Sequence, residues 1–459
     1  MKRIITVLAA ALFLCSGMQA QSVAPFKDGD RAVFLGNSIT DGGHYHSYIW
    51  LYYMTRFPNM NLRIFNAGIG GETAGDMFKR LDGDVFSKRP TVLTVTFGMN
   101  DTGYMEYNQP GAKEFGEKRY RESCDNFRKM EARLKTADGV RMVMLGGSPY
   151  DETAQIENVP LHGKNAVIRR INDFQRETAT ANGWEFVDFN TPMVGIGERM
   201  QAENPAFTIT MGDRIHPDND GHMVMAYLYL KAQGFAGQEV ADIEIDAPAA
   251  KVVKAVNCSI SNLRRNGREF SFDYLARSLP YPMDTVAHGM GAKRGQALAV
   301  KLVPFTEEMN REMLCVKGLK GNYSLYIDAQ KIGTWNAREL AAGINLAEQT
   351  WTPQYRQALE VMYLNEYRWE IERNFRDYAW MQYDFFQNRG LLDANDRHAI
   401  EVLDAEKEKN IWVNIHRENY TKLMNPNVRE AREEEQELLI DKIYRINKPL
   451  LRTISLRRE

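Results

Sequence analysis

The chain has 459 residues, enough for two or three domains, each with its own core. With 44% hydrophobic and 26% charged residues and a mean hydropathy of −0.46, it is neither collagen-like, low-complexity nor mostly disordered. The 58 basic residues nearly balance 60 acidic ones, so the formal net charge is −2. No cationic excess is there to hold nucleic acid or an acidic membrane, and no nucleic-acid-binding motif is present.

Met1-Lys2-Arg3 is a positive start, and Ile4 to Leu14 is an apolar run interrupted by Thr6 alone. That run is too short to cross a hydrocarbon layer about 30 Å thick. It suits a cleaved secretion signal, with Met18-Gln19-Ala20 offering a small residue ahead of Gln21. Residues 1–20 are therefore expected to be a signal peptide, and the mature protein to be exported, periplasmic or extracellular. Cys15 opens the alternative of a lipoprotein anchor, but Leu14 precedes it where a small residue is needed. No later stretch reaches the length of a membrane-spanning helix, so no stable membrane insertion is expected.

From about Lys27 to Gly237 strand-like and helix-like runs alternate. Arg31-Ala-Val-Phe-Leu-Gly36 is a short apolar run ending on glycine; Leu62–Asn66, Thr91–Phe97, Val140–Leu145 and Trp184–Asp188 read the same way. Helices are predicted at His46–Phe57, Ala74–Phe86, Phe115–Lys135, Lys164–Ala181 and Gly221–Ala232. Alternation of this kind implies right-handed crossovers and a parallel sheet with helices on both faces. Its functional groups gather at the carboxyl ends of the strands.

Gln238 to Lys251 has no clear period and reads as a boundary. From Val252 to Trp335 short strand-like runs predominate, among them Lys301-Leu-Val-Pro and Asn322–Asp328, which predicts a small β-rich module over 252–335. Residues 336–459 read as helical. Tyr363, Tyr367, Ile371, Phe375 and Tyr378 share one helix face and are expected to pack in a core. Asn388–Asn395 reads as a turn, and Arg429–Arg445 as a charged helix whose segment Arg429–Glu437 is a solvated face. The cysteines left after Cys15, namely Cys124, Cys258 and Cys315, read as buried small hydrophobes, and a Cys258–Cys315 bridge stays open as the alternative.

The chemistry lies where the strands end. The first runs into Gly36-Asn37-Ser38-Ile39-Thr40-Asp41, a tight turn that projects a serine hydroxyl and leaves a backbone N–H free at a helix start. The second runs into Asn66-Ala-Gly-Ile-Gly-Gly71, whose glycines admit close approach of a ligand to the backbone. The third runs into Gly98-Met99-Asn100-Asp101, which presents a side-chain amide. Later, Asp213-Arg214-Ile215-His216-Pro217 sets a carboxylate three residues before a histidine, near enough to fix its tautomer and leave the other ring nitrogen as a base. Each turn alone is commonplace. Together they supply a nucleophile, a base, its orienter and oxyanion donors.

In these four ordered blocks, from Arg31 to Gly234, the sequence resembles the SGNH, or GDSL-type, esterases and acylhydrolases. The resemblance implies a flavodoxin-like three-layer α/β fold over 27–237. It implies Ser38 as nucleophile, Asp213 and His216 as its triad partners, and an oxyanion hole of Ser38, Gly71 and Asn100. Gly71 lies five positions after Asn66, where the family has its oxyanion glycine; Gly68, three residues earlier, is the alternative. Asn37 stands where the family name puts aspartate, a position outside the four name-giving residues.

The chemistry requires no metal and no organic cofactor. His44 and His46 form a His-x-His pair, but no third ligand is identifiable, and a substrate-side loop or a polar helix start is the preferred reading. His222 is placed on a helix, facing solvent or packing; His162, His288, His398 and His416 receive no role. The expected partner is an ester substrate. Secretion, the appended β-rich module and the polar-aromatic segment Gly42–Tyr48 favour removal of acetyl groups from a glycan. A lipase acting on longer acyl chains and a non-catalytic glycan-binding protein are the alternatives.

Overall fold

The structure, a computed structural model, describes residues 23–289 and 291–459, so the expected signal peptide and Cys15 lie outside the described residues. Five parallel strands form the first sheet: β1 Arg31–Gly36, β2 Arg63–Gly68, β3 Val92–Val95, β4 Arg141–Gly146 and β5 Glu185–Asp188. Their order is β2-β1-β3-β4-β5, a flavodoxin-like α/β arrangement. All of β3 is buried, as a parallel strand covered on both faces must be. The chain order reverses beside β1, and the crevice there is where such sheets place their chemistry.

Helices α1 Ser38–Asp41, α2 Tyr45–Arg56, α3 Ala74–Lys79, α4 Ala112–Leu134, α5 Lys164–Asn182, α6 Asn190–Gln201 and α7 Asn219–Ala232 connect and follow these strands. The predicted helix over Ala74–Phe86 stops at Lys79, and residues 81–85 widen into a π-turn around the buried Arg80. Helix α6 has no counterpart in the sequence reading. Pro192, Gly195 and Gly197 all lower its intrinsic propensity, and packing of Met193 and Ile196 carries it instead.

The β-rich part starts earlier than predicted and is not contiguous. Its strands are β6 Ala241–Asp246, β7 Lys251–Val256, β8 Cys258–Asn266, β9 Glu269–Ala276, β10 Glu312–Lys317, β11 Asn322–Ile327, β12 Gln330–Asn336, β13 Ile344–Asn345 and β14 Arg452–Arg458. They form two sheets, β13-β10-β6-β7 and β12-β11-β14-β9-β8. Strand β6 lies in the stretch read as a boundary and pairs antiparallel with β7, which starts where that stretch ends, and the C-terminal β14 inserts between β11 and β9. Lys301–Pro304 is not a strand. Gln296–Lys301 is a 3₁₀ turn leading to the short helix α8 Phe305–Met309, and α9 Ala337–Ala342 follows β12. Cys258 and Cys315 lie in different sheets and both are free thiols, so the bridge left open does not form.

The rest is helical: α10 Pro353–Trp380, α11 Arg397–Glu406, α12 Ile411–Leu423 and α13 Pro426–Ile446. The aromatic stripe on α10 is buried only in its later part: Ile371 lies in the core and Tyr378 packs against Tyr420, but its first two tyrosines face outward. Tyr363 and Tyr367 are 48% and 57% exposed, whereas Met362, Asn365, Arg368, Trp369, Glu372 and Arg376 are buried. That inner face is rich in ion-paired residues, which a hydrophobic-periodicity argument passes over. It packs on α2, every residue of which is buried. A helix buried on every side, its polar His46, Ser47, Thr55 and Arg56 included, needs such cover on both faces.

Candidate active site

The serine turn is built by capping. Gly36 ends β1 where a Cβ would stand 2.1 Å from Thr40 Oγ1, so only glycine lets the turn close. Asn37 is the N-cap of α1, its side chain accepting from the Ile39 N–H at 3.0 Å. Asparagine and aspartate cap equally well, which accounts for Asn37 at this position. Ser38 follows as the first residue of α1 and is half-buried.

The Asp213–His216 turn is held by two devices. Residues Thr210 and Pro217 form an antiparallel bridge, and the Met211 N–H bonds the His216 carbonyl at 2.9 Å. Arg214 adopts a φ of +67°, and its buried guanidinium donates to the carbonyls of Asn158, Asp151 and Ala154 at 2.7, 3.0 and 3.0 Å. Asp213 Oδ1 accepts the N–H groups of Ile215 and His216, both at 2.9 Å. Its Oδ2 lies 2.5 Å from His216 Nδ1, and His216 Nε2 lies 2.8 Å from Ser38 Oγ. Burial works to raise the Asp213 carboxyl, but the hydrogen bond and charge of His216, with the two backbone N–H groups, hold it below its ordinary value.

The glycine turn lies against the serine turn. A Cβ on Gly70 would be 3.9 Å from Ser38 Cβ, and one on Gly68 would collide with the Asp41 backbone N at 2.2 Å. Asn66 ties the two turns, donating from Nδ2 to the Asp41 carbonyl at 2.9 Å and accepting the Gly68 N–H at 2.8 Å. Gly71 has a φ of +88° with open space around its Cβ position, so backbone conformation rather than room selects glycine there. Asn100 is half-buried, and its Nδ2 donates to the Glu72 carbonyl at 3.0 Å. Buried Asp101 joins the glycine and asparagine turns by accepting from the N–H groups of Ala74 and Gly98 and from Ser123 Oγ at 3.0, 2.9 and 2.9 Å.

Five sequence-derived residues, Ser38, Gly71, Asn100, Asp213 and His216, thus sit on turns at one edge of the sheet, with Ser38, His216 and Asp213 in direct contact. His44 and His46 stand at a helix start, His44 as the N-cap of α2 and His46 in its first turn. Both are fully buried, and Tyr45 to Tyr48 is buried with them, so this segment does not line a substrate groove as expected from its composition. The C-terminal helix α10 covers it: His44 Nε2 is 2.7 Å from Glu366 Oε1, and Trp369 stacks on the His44 ring at 3.9 Å. His46 Nε2 bonds the Thr40 carbonyl at 3.2 Å, and burial pushes this imidazole down to about 4, keeping it neutral. His222 is buried behind Gly43, not facing solvent. Among the described residues no group of three or more His, Cys, Asp or Glu side chains is arranged to hold a metal. Sequence reasoning missed the supports from α10 and the residues Tyr104 and Lys164 around Asn100. No local pattern marks the α10 supports, whose partners lie about three hundred residues away in the chain.

The GDSL-like lipase/acylhydrolase family model matches residues 34–224. A solved structure described as a gut microbial diltiazem-metabolizing enzyme is 62% identical, with a TM-score of 0.94, covering 96% of this chain and 100% of its own. The chain is an SGNH/GDSL-type hydrolase. A second family model, the diltiazem deacetylase C-terminal helical domain, matches residues 359–448 of the hydrolase, from within α10 to just past α13. An acetylxylan esterase of Geobacillus stearothermophilus is 24% identical over 222 residues, 45% of the hydrolase and 95% of the esterase. An uncharacterized lipoprotein, YqeF, of Bacillus subtilis (strain 168) is 31% identical over 127 residues, 26% of the hydrolase and 49% of the lipoprotein. The hydrolase acts on ester bonds. Among the described residues no helix is long and apolar enough to cross a membrane.

Proposed function

We propose that the hydrolase is an O-deacetylase that cleaves acetyl esters through Ser38, His216 and Asp213. The observation that carries the mechanism is the unbroken relay from Asp213 Oδ2 through the His216 ring to Ser38 Oγ, with heavy-atom separations of 2.5 and 2.8 Å. His216 Nε2 takes the serine proton as Ser38 Oγ attacks the ester carbonyl carbon. Asp213, an acceptor held ionised, fixes Nδ1 as the protonated nitrogen and stabilises the imidazolium. The tetrahedral oxyanion is met by the N–H groups of Ser38 and Gly71 and by the Asn100 amide. A donor of this kind supplies about 2.7–4 kcal/mol of transition-state stabilisation. His216 then protonates the departing alkoxide, and water repeats the cycle on the acetyl-enzyme.

Acetyl as the acyl group is supported by the diltiazem-metabolizing enzyme at 62% identity and by the second family model, which together span both the α/β part and the C-terminal helices. Diltiazem, the compound both names carry, is the substrate this reading favours. An acetylated glycan is the second reading, supported by the acetylxylan esterase at 24% identity. Export belongs to either reading and rests on residues 1–20 alone. The test is acetate release by the purified protein from diltiazem, acetylated xylan and p-nitrophenyl esters of increasing length. Acetate release with rates falling steeply beyond butyrate is expected. A preference for octanoyl or longer esters overturns the deacetylase reading, and xylan outpacing diltiazem moves the assignment to the glycan.

A further inference from the structure

The Asn100 turn is gripped by two side chains that the mechanism above does not use. Tyr104, half-buried, donates its hydroxyl to Asn100 Oδ1 at 2.6 Å. Since the Glu72 carbonyl can only accept, its 3.0 Å contact fixes which end of the amide is Nδ2, and Tyr104 then takes the other end. One hydrogen of Nδ2 is left for a further acceptor. Behind Tyr104 lies Lys164, the first residue of α5 and fully buried. Its ammonium donates to the Met99 carbonyl, Thr102 Oγ1 and the Gly103 carbonyl at 2.7, 2.6 and 2.6 Å, using all three hydrogens on the turn that carries Asn100. It also sits 3.9 Å from the centroid of the Tyr104 ring and 5.8 Å from that of Tyr150.

A buried cation among neutral acceptors is costly, and a methionine of similar volume would fill the space without desolvating a charge. Its placement has an electrostatic consequence. A cation over a phenol ring strengthens the phenol as a donor, and donation to an amide oxygen strengthens that amide's own N–H groups.

We propose that Tyr104 and Lys164 are positioning residues for the oxyanion site, Tyr104 locking the Asn100 amide with Nδ2 toward the developing charge and Lys164 polarising that chain in the same direction. The inference rests on Asn100 being an oxyanion donor. Burial, with Asp213, Asp101 and Tyr150 nearby, raises the Tyr104 hydroxyl and keeps it a donor throughout the neutral range. Burial pushes Lys164 down to about 7; Asp101 and Glu152 oppose that and Arg119 adds to it. The polarising charge is therefore present below neutral pH and fades above it.

Steady-state hydrolysis of p-nitrophenyl acetate tests this with Tyr104→Phe, Asn100→Ala, the double variant and Lys164→Met. Tyr104→Phe is expected to lower kcat roughly tenfold with KM within about twofold, and to do nothing further once Asn100 is alanine, because the two act through one donor. The rate ratio of wild type to Lys164→Met should shrink toward one between pH 6 and pH 9. If Asn100→Ala leaves kcat intact, the oxyanion assignment fails and this inference with it. If Asn100→Ala costs about a hundredfold or more while Tyr104→Phe costs nothing, or costs the same in both backgrounds, the site stands and this inference is wrong. A pH-independent ratio removes Lys164 from it. The Tyr104 comparison does not depend on the Lys164 variant folding.

Discussion

Arg376 and Asp84 form a buried ion pair that fastens helix α10 to the underside of the active site. Arg376 Nη1 and Nη2 lie 3.0 and 2.7 Å from the two Asp84 oxygens, and Nε donates to the Gly68 carbonyl at 2.8 Å. Asp84 also accepts from Arg80, whose guanidinium reaches Glu72 and the Ala67 carbonyl. A helix nearly three hundred residues away in the chain thereby braces the glycine turn directly. The C-terminal half belongs to the scaffold of the site.

Removing one partner of this pair should be severe. Both side chains are almost wholly buried, so Arg376→Met leaves Asp84 short of a partner and is expected to cost about 3–5 kcal/mol of stability. Urea unfolding monitored by tryptophan fluorescence measures it. A chain ending at Gly237 should lose stability and activity together, since it uncovers α2 and unpins the glycine turn. A monomeric, fully active protein of that length would show the C-terminal half to be an independent attachment.

The same pair sets an acid response. Burial would raise the Asp84 carboxyl, but Arg376, Lys88 and Arg80 outweigh it and hold the group well below its ordinary value. A depressed carboxyl contributes stability that is complete above the unfolded value near about 4 and is lost as pH falls through the folded value. The difference in Tm between wild type and Arg376→Met should therefore be largest near neutrality and narrow below pH 4. A gap that stays constant down to pH 2 would contradict the ion-pair account.

How far all this could be read from the sequence follows the range of each interaction. The strands of the first sheet and the turns after them announce themselves locally: an apolar run, a glycine, an Asx or serine cap. Strand β14 has no such advantage, because what makes it a strand is pairing with β9 and β11 more than a hundred residues earlier. Tyr363 and Tyr367 misled because the buried face of α10 is held by Arg368, Glu372 and Arg376, whose partners are invisible to a periodicity count. Lys164 was legible as a helix residue, but its burial over Tyr104 was not, since lysine is ordinarily an exposed residue.

Catalysis should respond to the relay as a unit. Ser38→Ala and His216→Ala are each expected to abolish nearly all turnover, with the double variant scarcely worse. Asp213→Ala should retain more activity, because the imidazole loses its orientation rather than its base. Stopped-flow acylation by p-nitrophenyl acetate, with circular dichroism to verify folding, measures all three. Near-normal hydrolysis by Ser38→Ala would contradict the mechanism outright.

The two candidate glycines should fail for different reasons, and this separates packing from chemistry. At Gly68 an added Cβ would meet Asp41 N, Asp41 Cα and Thr40 C at 2.2, 2.7 and 2.8 Å, all backbone atoms that cannot swing aside. Gly68→Ala must therefore displace the serine turn, and is expected to lower Tm by several degrees as well as activity, a loss of order 1–3 kcal/mol. At Gly71 nothing stands within 4 Å of the added carbon, but a φ of +88° strains any residue with a side chain. Gly71→Ala should fold with a small loss of Tm, yet its N–H swings away from the oxyanion as the backbone relaxes. The expected result is a kcat reduced by about 10²-fold or more, with KM little changed, as for loss of one oxyanion donor. Measuring Tm and kcat side by side decides the matter. A Gly71→Ala protein that keeps wild-type kcat would remove that N–H from the oxyanion hole and pass the role to another group of the turn.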